Sequence, residues 1–503
     1  ADSLMGGETL VKMVRLMQVE PRIGILQSAP LIVNASSLFA RVQQFSNQLY
    51  GPMFSTGLAA LQLGDASYWG HNAILRVAPF MRHCGLRRLK GLGLFKGSIS
   101  SHDFVEGAYM ARAGYEVWLE PALEQTYEES PPSLVDELSR DRRWAKGNLQ
   151  HIALMLFGRR LRMAHRLAFF SGIMSYLASP LWFAFLVLIT VEATKLILFP
   201  PDYFPRGPSL FPLWPEWNPE MALRMVGLTV FLLFTPKLLA AFDVLLMRRA
   251  RQFGGVAAML SSVLREIVLS SLLAPLRMLA HTRFVLEALF NIRLRWAGQN
   301  RTDETGWSDA LRAHAAGSVV GASWAIFALW LKPMFFYWSL PIALPLVLAA
   351  PTSMWTSRIS LGKRLRQRRR FLVAEEVSSL DLLQDLDHYQ REKNASKRYE
   401  GKAPLVRALL EPRANHLHQT LAKHCAGGTS RQQHLAELRS KLLRKGSSAL
   451  NTKELSAVMR DRDTLDWLHR EIWLAAPDTY WGRMLHWRRR SGIERSADDI
   501  DHH

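Results

Sequence analysis

Apolar positions along this chain change their spacing twice. Over the first 138 residues they come in short runs broken by helical stretches. Ile23-Gly24-Ile25-Leu26-Gln27 reads as a buried strand, 36–50 as a helix and Val117-Trp118-Leu119 as another strand, which is α/β patterning. Gly91, Gly93 and Gly97, with Ser98, Ser100 and Ser101, mark a flexible loop before a helix that starts at Asp103. From 140 to 165 the pattern becomes an amphipathic, Arg-rich helix suited to a membrane interface, with Leu149, Ile152 and Leu156 against Arg159, Arg160 and Arg162. Long apolar runs follow. The 25 uncharged residues 167–191 can span a bilayer, and further spans are expected at about 222–246, 313–331 and 333–357, the last two joined at Lys332-Pro333. A proline-rich loop with Trp214 and Trp217 and one basic residue, Arg206, is expected outside.

Residues 256–290 read differently. Their longest uncharged run, Ile267 to Leu276, is ten residues, too short to cross. Glu266, Ser270, Arg277 and His281 fall within about 60° on a helical wheel, so an interface helix with one polar face is expected. The resulting order is an α/β segment 1–138, an interface helix 139–166, a membrane region 167–357 and a helical cytoplasmic tail 358–503.

Charge refines the picture. A formal +20 suggests nucleic acid, but the basic residues flank apolar runs: eight Lys/Arg against one acid over 140–166, and seven with no acid over 358–370. That is the pattern of cytoplasmic membrane flanks, and no nucleic-acid-binding signature accompanies it. Two distant cysteines, Cys84 and Cys425, fit a reducing compartment. Lys237, beside Pro236 inside the second span, is too far from the surface to snorkel and should face a protein interior or a polar path. The opening Ala-Asp-Ser-Leu-Met-Gly-Gly reads as the middle of a strand-to-loop motif, so more sequence is expected upstream.

Three groups could carry chemistry. Asp2, at a strand end, could hold a divalent ion on a diphosphate, or be a turn residue. Asp103 could be a carboxylate base for an acceptor hydroxyl, although Asp103 with Glu106 is also a helix-capping pattern. In Arg140-Asp141-Arg142-Arg143-Trp144, arginines suit phosphate oxygens and the indole offers a flat platform to a sugar; the alternative is an interface anchor.

Together, Asp2, Ser101-His102-Asp103 and Arg140-Asp141-Arg142-Arg143-Trp144 ahead of membrane helices resemble the processive family 2 glycosyltransferases. Tyr68-Trp69-Gly70-His71-Asn72-Ala73-Ile74, Ser101 to Glu106, Met174-Ser175-Tyr176-Leu177, Leu273 to Leu279 and the tail as far as Trp481 resemble, more narrowly, the glucans biosynthesis glucosyltransferase H group. The resemblance implies a GT-A catalytic domain of which 1–138 is the C-terminal part, followed by an α-helical membrane domain. It implies Asp2 as second acid of a metal-binding DxD, Asp103 as base, and Arg140, Arg143 and Trp144 as diphosphate and acceptor contacts. His102 and Arg140 depart from the wider family's pattern and match the narrower group. Residues 291–310, with Gln299 and Arg301, stand where cellulose synthases carry a loop that closes over the nucleotide. The implied enzyme is an inverting, processive synthase in the bacterial inner membrane, taking UDP-glucose with Mg2+ or Mn2+ and extending a β-1,2-glucan. Its implied partners are the growing glucan, membrane lipid, a periplasmic glucan-processing protein and an acyl carrier protein. Further acids of the site are expected upstream, so this stretch alone should be inactive. A synthase of another polymer (cellulose-like or hyaluronan-like) and a polysaccharide transporter without catalysis are the alternatives.

Overall fold

The computed structural model describes residues 3–199 except 87, 219–290, 304–377, 382–386, 388, 404–422, 428–446 and 449–485. Asp2, Gln299, Arg301, Cys425, the loop 200–218 and most of 291–310 lie outside the described residues. The chain forms two compact units, Ala1–Leu382 and Leu383–His503.

The first unit begins with β1 (Ser3–Met5), α1 (Gly7–Val19), β2 (Ile23–Ser28), β3 (Leu31–Ile32), α2 (Leu38–Gln62), β4 (Ala73–Leu75) and α3 (Val77–His83). It continues through the small antiparallel pair β5 (Leu89–Lys90) and β6 (Lys96–Gly97), α4 (Asp103–Arg112), β7 (Glu116–Glu120), β8 (Thr126–Glu128) and α5 (Leu134–Phe157). Two three-stranded sheets result, β1-β8-β3 and β4-β2-β7. All six residues of the central β2 are buried, as a strand covered on both faces requires. Ile25 packs with Val117 and Leu119, while Leu26 joins Met13 and Met17 of α1 on the other side. β2 pairs parallel with β7 and antiparallel with β4, which brings the loops before β4 and before α4 to one end.

Helix α5 ends at Phe157, short of the amphipathic stretch expected through 165. Gly158 caps it and Arg160 adopts a positive φ of 56°, a left-handed conformation that a continuing helix does not allow. Then come α6 (Met163–Leu198), α7 (Pro219–Leu246), α8 (Val256–Leu289) and α9 (Trp307–Leu331). Among the described residues four helices are long and apolar enough to cross a membrane: Met163–Leu198, Leu223–Leu246, Val256–Leu289 and Trp307–Leu331. The stretch 333–357 is not one straight span. It is α10 (Pro333–Val347) and α11 (Ala349–Thr356), meeting at 55°. Pro351 explains the break, since its ring would clash with the Val347 carbonyl in a continuous helix.

The basic stretch after the spans packs onto the sheet-bearing part. Helix α12 (Ile359–Gln367) brings Gly362 so close to the Ser36 carbonyl that a Cβ there would collide with it. Buried Arg41 of α2 is held bidentately by Glu376, at 2.7 and 2.8 Å, and donates to the Phe371 carbonyl at 2.8 Å. The compact unit therefore runs past 358, where the sequence pattern suggests that the tail starts.

The second unit is helical where described, with Leu409, Leu438, Leu442, Leu465, Leu468, Ile472 and Trp481 in one buried cluster. Asn451 and Glu454 form a capping box at the helix Thr452–Met459.

Candidate active site

Helix α5 carries the Arg-Trp motif and also grips the loop that launches Asp103. The Ser100 N–H donates to Gln150 Oε1 at 2.9 Å, and Gln150 Nε2 donates to the carbonyls of Ser98 and Leu94 at 3.2 and 3.3 Å. His151 Nε2 donates to the Ser101 carbonyl at 2.8 Å. Its other nitrogen, Nδ1, is buried without a partner, so a second proton would place charge where nothing receives it; burial pushes the imidazole down to about 4. Gly147 lies against Ser101 so tightly that any Cβ would collide with the hydroxyl. Loop and helix are one assembly.

Asp103 is the first helical residue of α4, not its cap. His102 occupies the cap position and makes no side-chain capping bond, so the capping alternative for Asp103 loses its geometry. The Asp103 carboxylate is about one-third exposed and lies beside Gly70, whose φ of +90° and closeness to the carboxylate both exclude a side chain. The segment around Gly70 is fixed in turn: Trp69 N–H donates to Gln27 Oε1 at 2.9 Å, and Asn72 Nδ2 donates to Thr126 Oγ1 at 2.7 Å. The Tyr68 phenol is pushed up to about 12, first by burial and then by the charges of Asp103 and Glu106.

Asp103 and Trp144 line one cavity of about 830 Å3, with Trp69, His71, Asn148 and Glu128 around them. A volume of that order accommodates a nucleotide sugar or a short oligosaccharide. The Arg140 guanidinium stacks 4.3 Å from the centre of the Trp144 ring. Arg143 is exposed and does not line the cavity. Of the residues proposed from sequence, then, Asp103 and Trp144 are brought to one cavity, Arg140 stacks on Trp144 without lining it, and Arg143 stands on the same helix but apart. Asp2, Gln299 and Arg301 lie outside the described residues.

The polar face of α8 meets protein. Arg277 donates to Glu137 of α5 at 2.9–3.2 Å, His281 Nε2 is 3.2 Å from Asp141 Oδ2, and Arg142 Nε donates to Glu287 at 2.6 Å. Further along, Glu266, 3 % exposed, accepts from Lys237 of α7 at 2.7 and 2.8 Å, from Tyr50 of α2 at 3.0 Å and from Ser270 at 2.5 Å. A polar stripe thus satisfied gives α8 no need of headgroups, so the stripe no longer distinguishes an interface helix from a span. Lys237, a quarter exposed, turns its ammonium towards other helices, in an ion pair with Glu266 and over the Tyr50 ring.

His102, Asp103 and Glu106 each offer a ligand atom within 4.8 Å of the others, the one such group among the described residues. His102 Nδ1 already bridges the pair, 3.3 Å from Asp103 and 3.1 Å from Glu106. An ion here would replace the His102 contacts to both carboxylates and make Asp103 less basic. Sequence reasoning missed Gly147, Asn148, Gln150 and His151. The signal was there: 147, 148 and 151 follow Trp144 by 3, 4 and 7 residues, one helical face.

Residues 1–242 match the model of glycosyl transferase family group 2. The chain is 41 % identical over 508 residues to a protein of Pseudomonas paraeruginosa (strain PA7) named glucans biosynthesis glucosyltransferase H, covering 99 % of this chain and 57 % of that one. Proteins of the same name from Pseudomonas fluorescens (strain Pf-5) and Cupriavidus pinatubonensis are each 42 % identical, over 94 % of this chain and 55 % and 54 % of theirs. The chain spans a little over half the length of these relatives.

Proposed function

We propose, from the match of residues 1–242 to glycosyl transferase family group 2, that the chain is part of an inner-membrane enzyme that polymerises glucose from UDP-glucose into the β-1,2-linked backbone of osmoregulated periplasmic glucans, and exports it. The sheet-bearing segment is then part of a GT-A domain, cytoplasmic like the Arg-rich stretch 358–370. One observation carries the reading: a carboxylate and an indole face one cavity, on elements locked together by Gln150 and His151, and α5 leads directly into a helix able to cross a membrane.

The reaction is an inverting displacement at C1. Asp103 accepts the acceptor hydroxyl's proton while that oxygen forms its bond to C1 and UDP departs on the opposite side. Trp144, backed by Arg140, holds the acceptor sugar on its ring. Arg143, exposed one residue earlier, meets the diphosphate. Asp2 is the proposed ligand for Mg2+ or Mn2+, which supplies charge neutralisation at the diphosphate when bound.

Asp103→Asn in the full-length protein keeps the side-chain volume and removes the base. Incorporation of glucose from UDP-glucose into polymer by membranes should fall at least about a hundredfold with normal protein levels; near-normal synthesis would refute the assignment. Methylation analysis of the product tests the linkage, and a 1,4-linked product would point to a cellulose-like synthase.

A further inference from the structure

Asp141 sits between the His281 imidazole and the Arg140 guanidinium. Its Oδ2 meets His281 Nε2 at 3.2 Å, within hydrogen-bond reach, while its Oδ1 lies 3.7 Å from Arg140 Nε, beyond it. Asp141 and His281 are both nearly buried, each 13 % exposed. Arg140 Nε is itself buried and has no hydrogen-bond partner. Its guanidinium lies instead over the Trp144 ring. An unpartnered N–H beside a carboxylate less than one ångström too far away is a contact held open. What holds it open is on α8: His281 draws Asp141 to itself, packed between the rings of Tyr176 and Phe284 at 5.2 and 6.0 Å.

We infer that His281 is a positioning residue for the acceptor platform: by engaging Asp141, it keeps that carboxylate from closing on Arg140 and so keeps the guanidinium stacked on Trp144. The neighbouring rungs, Glu137 with Arg277 and Arg142 with Glu287, fix α5 against α8 so that the distances hold. Without the imidazole, Asp141 would be a nearly buried carboxylate whose nearest available cation is Arg140. Closing 3.7 Å to a hydrogen-bonded pair is cheaper than leaving the charge alone. The guanidinium would be drawn off the indole, the cation–π contact would be lost, and the ring would lose the support behind it.

The inference rests on the reading of Trp144 as acceptor platform, and its test separates the two. In full-length protein in membranes, His281→Ala should slow elongation about tenfold, a misplacement effect, while UDP affinity measured by titration stays within about threefold. His281→Gln, which retains an N–H near the Nε2 position, should elongate within about threefold of normal. The deciding variant is His281→Ala combined with Asp141→Asn. Removing the charge that would capture Arg140 should restore elongation to within about threefold, whereas a simple loss of packing would be deepened by the second change. Failure of the double variant to recover, or a tenfold loss in Asp141→Asn alone, would overturn the positioning role even if His281→Ala folds poorly. Trp144→Ala is the control for the underlying reading: normal elongation in that variant would sink the platform itself, whatever the histidine does.

Discussion

Helices α6 and α8 are nearly equal in length, 36 and 34 residues, and both are apolar enough to cross a membrane. The hydroxyls of α6 and the ionic groups of α8 are satisfied in different ways. In α6 the hydroxyls of Ser175, Thr190 and Thr194 donate to carbonyls three or four residues back in the same helix, each at 2.7 Å. None of its most apolar window is buried, against 39 % for α8. In α8, by contrast, Glu266, Arg277, His281 and Glu287 all reach residues on other helices. Apart from its N-terminal third and the bond from Trp324 of α9 to Thr190 at 3.0 Å, α6 satisfies its hydroxyls internally, and such a surface can face lipid and tolerate exchange. A helix whose ionic groups are met by α2, α5 and α7 is a frame for whatever those helices carry, and α5 carries the site. Hydropathy alone cannot tell the two apart.

The sharpest way to break this contrast is Lys237→Met. It leaves Glu266 buried with its charge unmatched, and should cost about 3–5 kcal/mol, read as a lowered unfolding midpoint in detergent. Adding Glu266→Gln should recover most of the loss. A cost below about 1 kcal/mol would make α8 no more integral than α6.

Acid should loosen the grip of α5 on the loop before Asp103. The folded His151 is held down at about 4, below an ordinary 6.5. As pH falls from 6.5 towards 4 the unfolded chain gains the proton before the folded one, so stability is full above about 6.5 and declines on acidification. The loss should reach about 2–3 kcal/mol near pH 4.5. Unfolding midpoints at pH 7.5 and 4.5, for wild type and His151→Gln, check this; equal slopes in both would remove His151 as the cause.

The smallest effect is expected on α6. Leu188, 66 % exposed, should tolerate replacement by Ala within about 0.5 kcal/mol. A loss above about 2 kcal/mol would show that α6 too has a packed partner at that position.

How much of this was legible beforehand follows the same division. Local patterns announced β2, α2, β7 and the apolar helices, because burial on both faces or along a whole helix leaves a continuous signature in the sequence. They also brought out Asp103 and Trp144, which the fold brings to one cavity. The wheel found a polar face on 256–290 but not what it meets, since Arg277 and Glu137 are 140 residues apart and Lys237 and Glu266 are 29. Arg41 and Glu376, separated by 335 residues, left no trace at all. Charge pairing over such distances has no period to read.

The rungs between α5 and α8 have a mechanical consequence. From Glu137 to Asp141 is four residues, and from Arg277 to His281 is four in the same direction, so the helices run parallel and are matched turn for turn. Suppose α5 slid by one turn, about 5.4 Å. Asp141 would come to Arg277, but His281 would then face Ala145, and Glu137 would face Leu273. The opposite slide would set Asp141 against Val285 and Ser133 against Arg277. The contact works like a key with a single cut: one alignment fits every tooth, and each neighbouring one leaves at least one unmatched. Any stroke that carries Trp144 through a reaction cycle must therefore take α8 along with it.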